Sequence, residues 1–423
     1  MLPGAEPIVH PAAVPPRHTA TGELRQNARV LMAAMLGLCV GLPGLSNYGF
    51  SVFIAPLTGE FGWSISAVSA WVFFLMIGSC VSSILLGRWV DRLGARRVIL
   101  IAIPLFAAAL AIAGLMTGAP WQLRAIAFAA GAIGPGVSLL AYSQAVNERF
   151  DAARGTALGL MTTGIGISSV VAPPLMQWMV DAHGWRAGFA FLGVAALLAF
   201  PCAYFWLPRS LGRSSEAPRP LLAGYSARAA LRVPNFWLIN VIAFVVGVYS
   251  AGVIFNLLPL LTESGLSRAR AASYLGLFGL FMVVGKLLCG LTLDRLPVNR
   301  IGGVILLVQA AALLWLSRFA HGPVAVAIAA IGFSTGGQIT CSTYTIPRYL
   351  GMKAYGQVYG IVSIAGSIGV GVGPYLFSRL RELTRDYRLS LSLAAILALL
   401  VGLLYVSLDR SGRDSRARRG ITE

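Results

Sequence analysis

The sequence predicts an all-α membrane protein: twelve transmembrane helices arranged as two pseudo-symmetric halves of six. Three observations carry this. First, 57% of the 423 residues are hydrophobic and only 11% are charged, with a mean hydropathy of +0.76, whereas soluble domains carry about 25% charge. Second, the apolar runs are about 20 residues long. A chain in lipid satisfies its backbone only as helices or a closed barrel, and runs of this length select helices over the alternating segments of about 10 that a barrel needs. Third, Gly87-Arg88-Trp89-Val90-Asp91-Arg92-Leu93 is echoed 203 positions later by Gly290-Leu291-Thr292-Leu293-Asp294-Arg295-Leu296. Both copies read G-x-x-x-D-R-L, and both sit where an apolar segment gives way to a short charged turn. A motif repeated at half-chain spacing marks a duplicated bundle, an architecture of membrane transport.

Residues 1–28 carry Pro3, Pro7, Pro11, Pro15 and Pro16 and lack the apolar core of a signal peptide. They read as a disordered cytoplasmic tail. Apolar spans follow near 29–56, 66–87, 97–117, 121–146, 155–180 and 187–207, forming a first half over 29–207. The stretch 208–234, with Arg209, Arg213, Arg219, Arg228, Arg232 and four prolines, reads as a cytoplasmic linker. A second half over 235–408 holds spans near 235–261, 270–293, 300–318, 323–346, 356–379 and 388–408. Residues 409–423 form a basic cytoplasmic tail. The 48 glycines suit close helix contact in lipid.

The net charge of +18 resembles a nucleic-acid signal, but its distribution is that of a membrane protein. With the N-terminus inside, 23 of the 33 basic residues fall in cytoplasmic loops and tails and nine on the other face. That asymmetry places both termini in the cytoplasm. Arg379, Arg381, Arg385 and Arg388 are the local departure. Cys39, Cys80, Cys202, Cys289 and Cys341 all lie in apolar segments without metal or disulfide spacing, so neither is expected. Gly369, Gly371 and Gly373 lie within an apolar span, not between a strand and a helix, so they are no nucleotide loop. No P-loop, catalytic triad or paired intramembrane carboxylates occur, so no enzyme and no cofactor are expected.

Twelve spans, a basic central loop and the two turns resemble the major facilitator superfamily. Its loop signature between spans two and three is G-x-L-x-D-R-x-G-R-R/K. Here it reads Gly87, Asp91, Arg92, Gly94, Arg96 and Arg97, with Trp89 in place of Leu and Ala95 in place of the first tail cation. The resemblance covers about residues 29–408 and implies that this turn clamps the halves on the cytoplasmic side. The second copy offers Gly290, Asp294 and Arg295 but ends in Pro297. Physically, the glycine admits close helix approach, and Asp91 can meet a helix N-terminus or an arginine. A finer likeness runs through Phe150, Arg154-Gly155, Ala157, Gly159, Pro173-Pro174 and Gly184-Trp185-Arg186. These resemble the monocarboxylate porter and oxalate/formate antiporter group, although span one lacks the acidic Asp-Gly-Gly-Trp start of the animal porters.

Lys286 is the leading site candidate. It lies eight residues before Asp294, about 12 Å into its span at 1.5 Å per residue. An intramembrane charge is costly and marks function by default. No Asp, Glu or His lies at comparable depth, so an anionic substrate would supply the missing charge. The alternative is a lysine snorkelling to the interface. In the relatives named above, span eight carries an Arg that binds the substrate carboxylate, and Lys286 matches that position when Gly290 is aligned. Span eleven has no cation before Arg379, which favours a substrate with one carboxylate. Asn47 and Tyr48 in span one, Tyr142 in span four, Tyr249 and Asn256 in span seven, and Gln338, Ser342 and Tyr344 in span ten are expected to complete the pocket. Each alone is more often a helix–helix hydrogen bond.

The expectation is a secondary transporter of a small organic anion, a monocarboxylate, working by alternating access as a monomer in a bacterial inner membrane. Protons are a possible second partner: a lysine that takes up its anion together with a proton gives electroneutral symport, and anion exchange is the other option. The rivals are a drug or metabolite exporter of the same superfamily and a nontransporting membrane sensor.

Overall fold

A computed structural model describes residues 19–208, 224–318 and 323–417. Among them the chain is helical almost throughout. The first half contains α1 (Ala20–Gln26), α2 (Ala28–Val40), α3 (Asn47–Gly49), α4 (Ile54–Phe61), α5 (Ile65–Leu93), α6 (Ala95–Ala113), α7 (Pro120–Ile133), α8 (Leu139–Asn147), α9 (Arg154–Leu197) and α10 (Ala199–Trp206). The second contains α11 (Ala227–Ala230), α12 (Pro234–Glu263), α13 (Arg268–Leu293), α14 (Val298–Arg318), α15 (Val324–Leu350), α16 (Tyr355–Thr384) and α17 (Arg388–Ala417).

Among the described residues, eleven helical stretches are long and apolar enough to cross a membrane. One of them, Arg154–Trp206, has 53 residues. At 1.5 Å per residue it would extend about 80 Å, far beyond the roughly 30 Å hydrocarbon core. It turns back at Gly184, whose φ of +81° is open to glycine at little cost. Beside the turn, Glu60 accepts from Trp185 Nε1 at 2.5 Å and from Arg186 Nη1 at 2.7 Å, tying the end of the first span to the fold-back. Counting both limbs gives the twelve crossings of the expected fold.

Buried apolar side chains form two cores, one drawn from residues 30–207 and the other from 230–408. Tyr344 and Tyr359 pack against both. The outer surface is apolar instead of polar: Phe73, Leu115, Phe205 and Trp237 are all exposed, as a lipid-facing surface requires. On the face away from the tails, Arg379, Arg381 and Arg388 are paired with Glu382, Glu263 and Asp386. This local neutralisation accounts for an arginine cluster where the charge rule predicts few.

Two spans read as continuous are interrupted. The first breaks at Leu42–Ser46, where Gly44 leaves helical geometry, and the fourth tightens at Gly134–Val137. The breaks pack together: a Cβ on Gly41 would lie 2.5 Å from the Val137 carbonyl oxygen, and one on Gly134 would lie 2.7 Å from Leu42. Discontinuous helices are where transporters of several folds build binding sites.

The tails need correction. Of the predicted disordered segment 1–28, residues 1–18 lie outside the described residues, but 20–26 form α1. Thr19 caps it by accepting from Gly22 N, and all five prolines precede it. In the linker, 209–223 lie outside the described residues. Gly224 pairs with Gly351 as an antiparallel bridge, Tyr225 N donates to Leu350 O at 3.0 Å, and α11 follows. Helix α17 continues to Ala417, well into the predicted tail, because no proline interrupts its hydrogen-bond ladder; 418–423 lie outside the described residues.

Candidate functional site

The two G-x-x-x-D turns do the same thing in the two halves. Four residues are about one helical turn, so glycine and aspartate share a face. In the first copy, Gly87 on α5 crosses Gly356 on α16. A Cβ on Gly87 would stand 2.2 Å from the Gly356 carbonyl oxygen, and one on Gly356 would stand 2.4 Å from that of Gly87. One turn on, Asp91 accepts from Gly356 N at 2.8 Å and Gln357 N at 3.0 Å. In the second copy, Gly290 on α13 crosses Gly155 on α9, and each added Cβ would stand 2.6 Å from the partner carbonyl oxygen. Asp294 accepts from Gly155 N at 2.5 Å, from Thr156 N at 2.9 Å and from Thr156 Oγ1. Each carboxylate thus satisfies orphan amides at the N-terminus of a helix in the other half, where the helix dipole also favours negative charge.

These contacts close the bundle on the face that carries α1 and the loop joining α5 to α6, here termed the tail side. A third contact between halves supports them: Ser143 Oγ on α8 and Tyr355 OH on α16 lie 2.8 Å apart, both buried. The remaining motif residues do not cross. Gly94, at φ +85°, makes the turn between α5 and α6. Arg96 donates to Tyr204 O at 2.7 Å and lies over that ring, holding its own half together. Arg92, Arg97 and Arg295 are exposed. The second copy therefore makes the same cross-half contacts as the first despite lacking the arginine tail.

Lys286 sits deeper on the same α9–α13 crossing and is fully buried. Its Nζ donates to the main-chain carbonyl of Thr162, in the other half, at 3.0 Å. It makes no ion pair among the described residues, and its burial and inward hydrogen bond do not fit a lysine snorkelling to the interface. Gly159 provides the room: a Cβ there would lie 2.6 Å from the Lys286 carbonyl oxygen. Among the described residues the one hydrogen-bond acceptor at the ammonium is the neutral Thr162 carbonyl, which leaves the lysine without a counter-charge there.

Among the described residues none of the other polar candidates is hydrogen-bonded to Lys286. Tyr249 OH lies 3.3 Å from both Gln309 Oε1 and Gln338 Oε1, and Gln309 Nε2 reaches Thr335 Oγ1 at 3.4 Å. This is a buried cluster internal to the second half. Asn256 donates to Gly252 O at 2.8 Å and accepts from Ser378 Oγ at 3.3 Å. Tyr142 is buried in the first half, in the space left by Gly37, where a Cβ would lie 2.1 Å from its hydroxyl. Asn47 and Ser342 are exposed and Tyr48 is half-buried; Asn47 and Tyr48 lie just after the break in the first span. Tyr344 lies between the two cores. Cys289 and Cys341, 52 positions apart, meet as free thiols at 3.4 Å.

Sequence reasoning missed Ser143, Thr162, Gln309, Tyr355 and Glu23. One signal was available. Ala153-Arg154-Gly155-Thr156-Ala157-Leu158-Gly159 and Ala354-Tyr355-Gly356-Gln357-Val358-Tyr359-Gly360 share A-x-G-x-x-x-G at a spacing of 201, and they are the surfaces on which the two turns dock.

A profile of the Major Facilitator Superfamily matches residues 36–374 and 275–420. The chain belongs to the major facilitator superfamily. It is a membrane transporter and not an enzyme. Among curated relatives, this facilitator is 28% identical to the 3-(3-hydroxy-phenyl)propionate transporter of Escherichia coli, over 84% of this chain and 85% of that one. It is 25% identical to the gallate transporter of Pseudomonas putida, over 78% and 85%. It is 28% identical to human monocarboxylate transporter 11, over 63% of this chain but only 59% of that protein. The fold of this facilitator is shared with the solved transporter FucP in its outward conformation, at a TM-score of 0.71 and 14% identity, covering 91% and 99% of the two chains. It is shared with the human organic anion transporter MFSD10 at 0.65 and 15%, covering 93% and 100%.

Proposed function

We propose that this facilitator carries small organic monocarboxylates, with Lys286 as the carboxylate site. One observation supports the reading most. A fully buried lysine lies on the crossing between the halves with only a neutral carbonyl as partner. A buried ammonium gains most from an anionic partner, and a point charge selects one carboxylate without demanding a fork. Three relatives are named for monocarboxylates or for aromatic acids that carry a single carboxyl group, so substituted aromatic acids belong among the candidates beside short aliphatic ones. The carboxylate takes the place of Thr162 at the ammonium. Residues of the broken first span, Asn47 and Tyr48, contact the organic part.

The tail side faces the cytoplasm, by the excess of basic residues there, and the protein works as a monomer in a bacterial inner membrane. In this conformation the cytoplasmic path is shut by the Asp91 and Asp294 clamps. Transport proceeds when both release and the halves rock about the site. The anion and a proton are taken up together, giving symport.

The test is counterflow in proteoliposomes with a panel of labelled aliphatic and aromatic monocarboxylates, for wild type and Lys286→Ala. At least one acid is expected to exchange in wild type and to be lost in the variant. Wild-type affinity and rate in Lys286→Ala would sink the site. Uptake under an imposed pH gradient then examines coupling: accumulation that ignores the gradient favours exchange.

A further inference from the structure

Glu23 lies on α1, before the first span, and is buried although it is a carboxylate in a solvent-facing tail. It makes no ion pair among the described residues. Instead its Oε1 accepts from Asp151 N at 2.9 Å and its Oε2 from Ala153 N at 2.8 Å. Both amides belong to the loop that leads into α9. The next two amides used there, Gly155 and Thr156, are taken by Asp294 from the opposite half. The entry to α9 is therefore shared between two carboxylates, one from each half of the molecule.

The second half repeats the arrangement with different chemistry. There the segment preceding the first span of that half docks on the loop leading into α16, through the Gly224–Gly351 bridge and the bond from Tyr225 N to Leu350 O. The amides that follow, Gly356 and Gln357, are taken by Asp91. In both halves a leading segment braces the loop whose helix start receives a clamp carboxylate. Main-chain bonds do this in the second half, and a single side chain does it in the first.

We propose that Glu23 is a positioning residue of the Asp294 clamp. By fixing residues 151–153 it presents the first turn of α9, already formed, to Asp294, and so biases the transporter toward tail-side closure. An unbraced helix start frays, and ordering it at each closure weakens the clamp. The proposal rests on alternating access by the two clamps but not on Lys286 or on any substrate.

The test uses the full chain in lipid nanodiscs, with the five cysteines replaced and spin labels at Arg97 and Arg300, both exposed on the tail side of opposite halves. Pulsed dipolar spectroscopy reads the distance between the halves without substrate. Glu23→Ala and Glu23→Gln are expected to raise the open-to-closed ratio by roughly tenfold, the scale of losing a charge-assisted hydrogen bond. Asp294→Asn is expected to raise it too, and Glu23→Ala added to Asp294→Asn should change little more, because both act through one clamp. An unchanged distance distribution in the Glu23 variants overturns the proposal. So does a full additive shift in the double variant, and so does loss of folded protein in both single variants, which marks a purely structural role. Because the distances are read without substrate, a failed carboxylate site leaves the Glu23 outcome as it is, and the two readings are tested separately.

Discussion

The α5–α16 and α13–α9 crossings are two copies of one joint, and their largest chemical difference lies one step beyond the shared glycines and aspartates. Gly87 corresponds to Gly290, Asp91 to Asp294, Gly356 to Gly155 and Gly360 to Gly159. The correspondence extends one step deeper. A Cβ on Gly360 would lie 2.5 Å from the Ser83 carbonyl oxygen, as one on Gly159 would lie 2.6 Å from that of Lys286. Ser83 is 203 positions before Lys286, so the same backbone position carries a hydroxyl in one half and an ammonium in the other. Ser83 turns its hydroxyl back to Ser79 O in its own helix, whereas Lys286 reaches across to Thr162. The duplicated parts join the halves on the tail side, and the residue that is not duplicated is the one we propose as the ligand site.

The substitution Lys286→Ser, which makes the second joint like the first, puts the strongest strain on this comparison. Transport of a monocarboxylate is expected to fall by roughly two orders of magnitude or more, the scale of removing one member of a buried charged pair. The spin-label distance across the tail side should stay as in wild type. A parallel loss of closure would mean that the Lys286–Thr162 bond also holds the halves together. Next in size, Gly87→Val and Gly290→Val each place carbon against a partner backbone and should cost the closed state about 3 kcal/mol, seen as a widened distance distribution. Asp91→Asn and Asp294→Asn should each cost about 1.5 kcal/mol; costs that differ severalfold in population would show that the two copies are not equivalent. Smallest are Arg92→Gln and Arg295→Gln. Both side chains are exposed, and a shift within about 0.5 kcal/mol is expected in the same measurement.

What could be read in the sequence follows from where the physics is local. The turns were legible because glycine and aspartate act from one helical face at fixed spacing. Lys286 was legible because a charge in an apolar span needs a reason. The surfaces that receive the turns were harder to see, since Arg154 and Thr156 replace Tyr355 and Gln357 around the shared small residues, and the amides they offer are present in any sequence. Glu23 was hidden for the same reason: its partners are main-chain groups of a loop 128 and 130 residues away. Tyr249 and Gln338 were read as ligand groups because buried polar atoms need partners. Their partners are each other's neighbours, with Gln309 joining from a third helix, and sequence periodicity does not bring three helices together. The breaks at Leu42–Ser46 and Gly134–Val137 were marked by Pro43, Gly44, Pro135 and Gly136, yet hydropathy averages over such short interruptions.

The partner of Lys286 carries one last consequence. Thr162 O belongs to a continuous helical stretch of α9, where a carbonyl also faces the amide four residues on. A ligand that draws the ammonium away therefore strands no acceptor, and the helix keeps its own bond. No side-chain replacement at position 162 removes the acceptor of this resting contact, because a main-chain carbonyl is common to all twenty amino acids. Conservative replacements of the buried Thr162, such as Thr162→Ser or Thr162→Val, are therefore expected to keep the contact, while Lys286→Ala removes it.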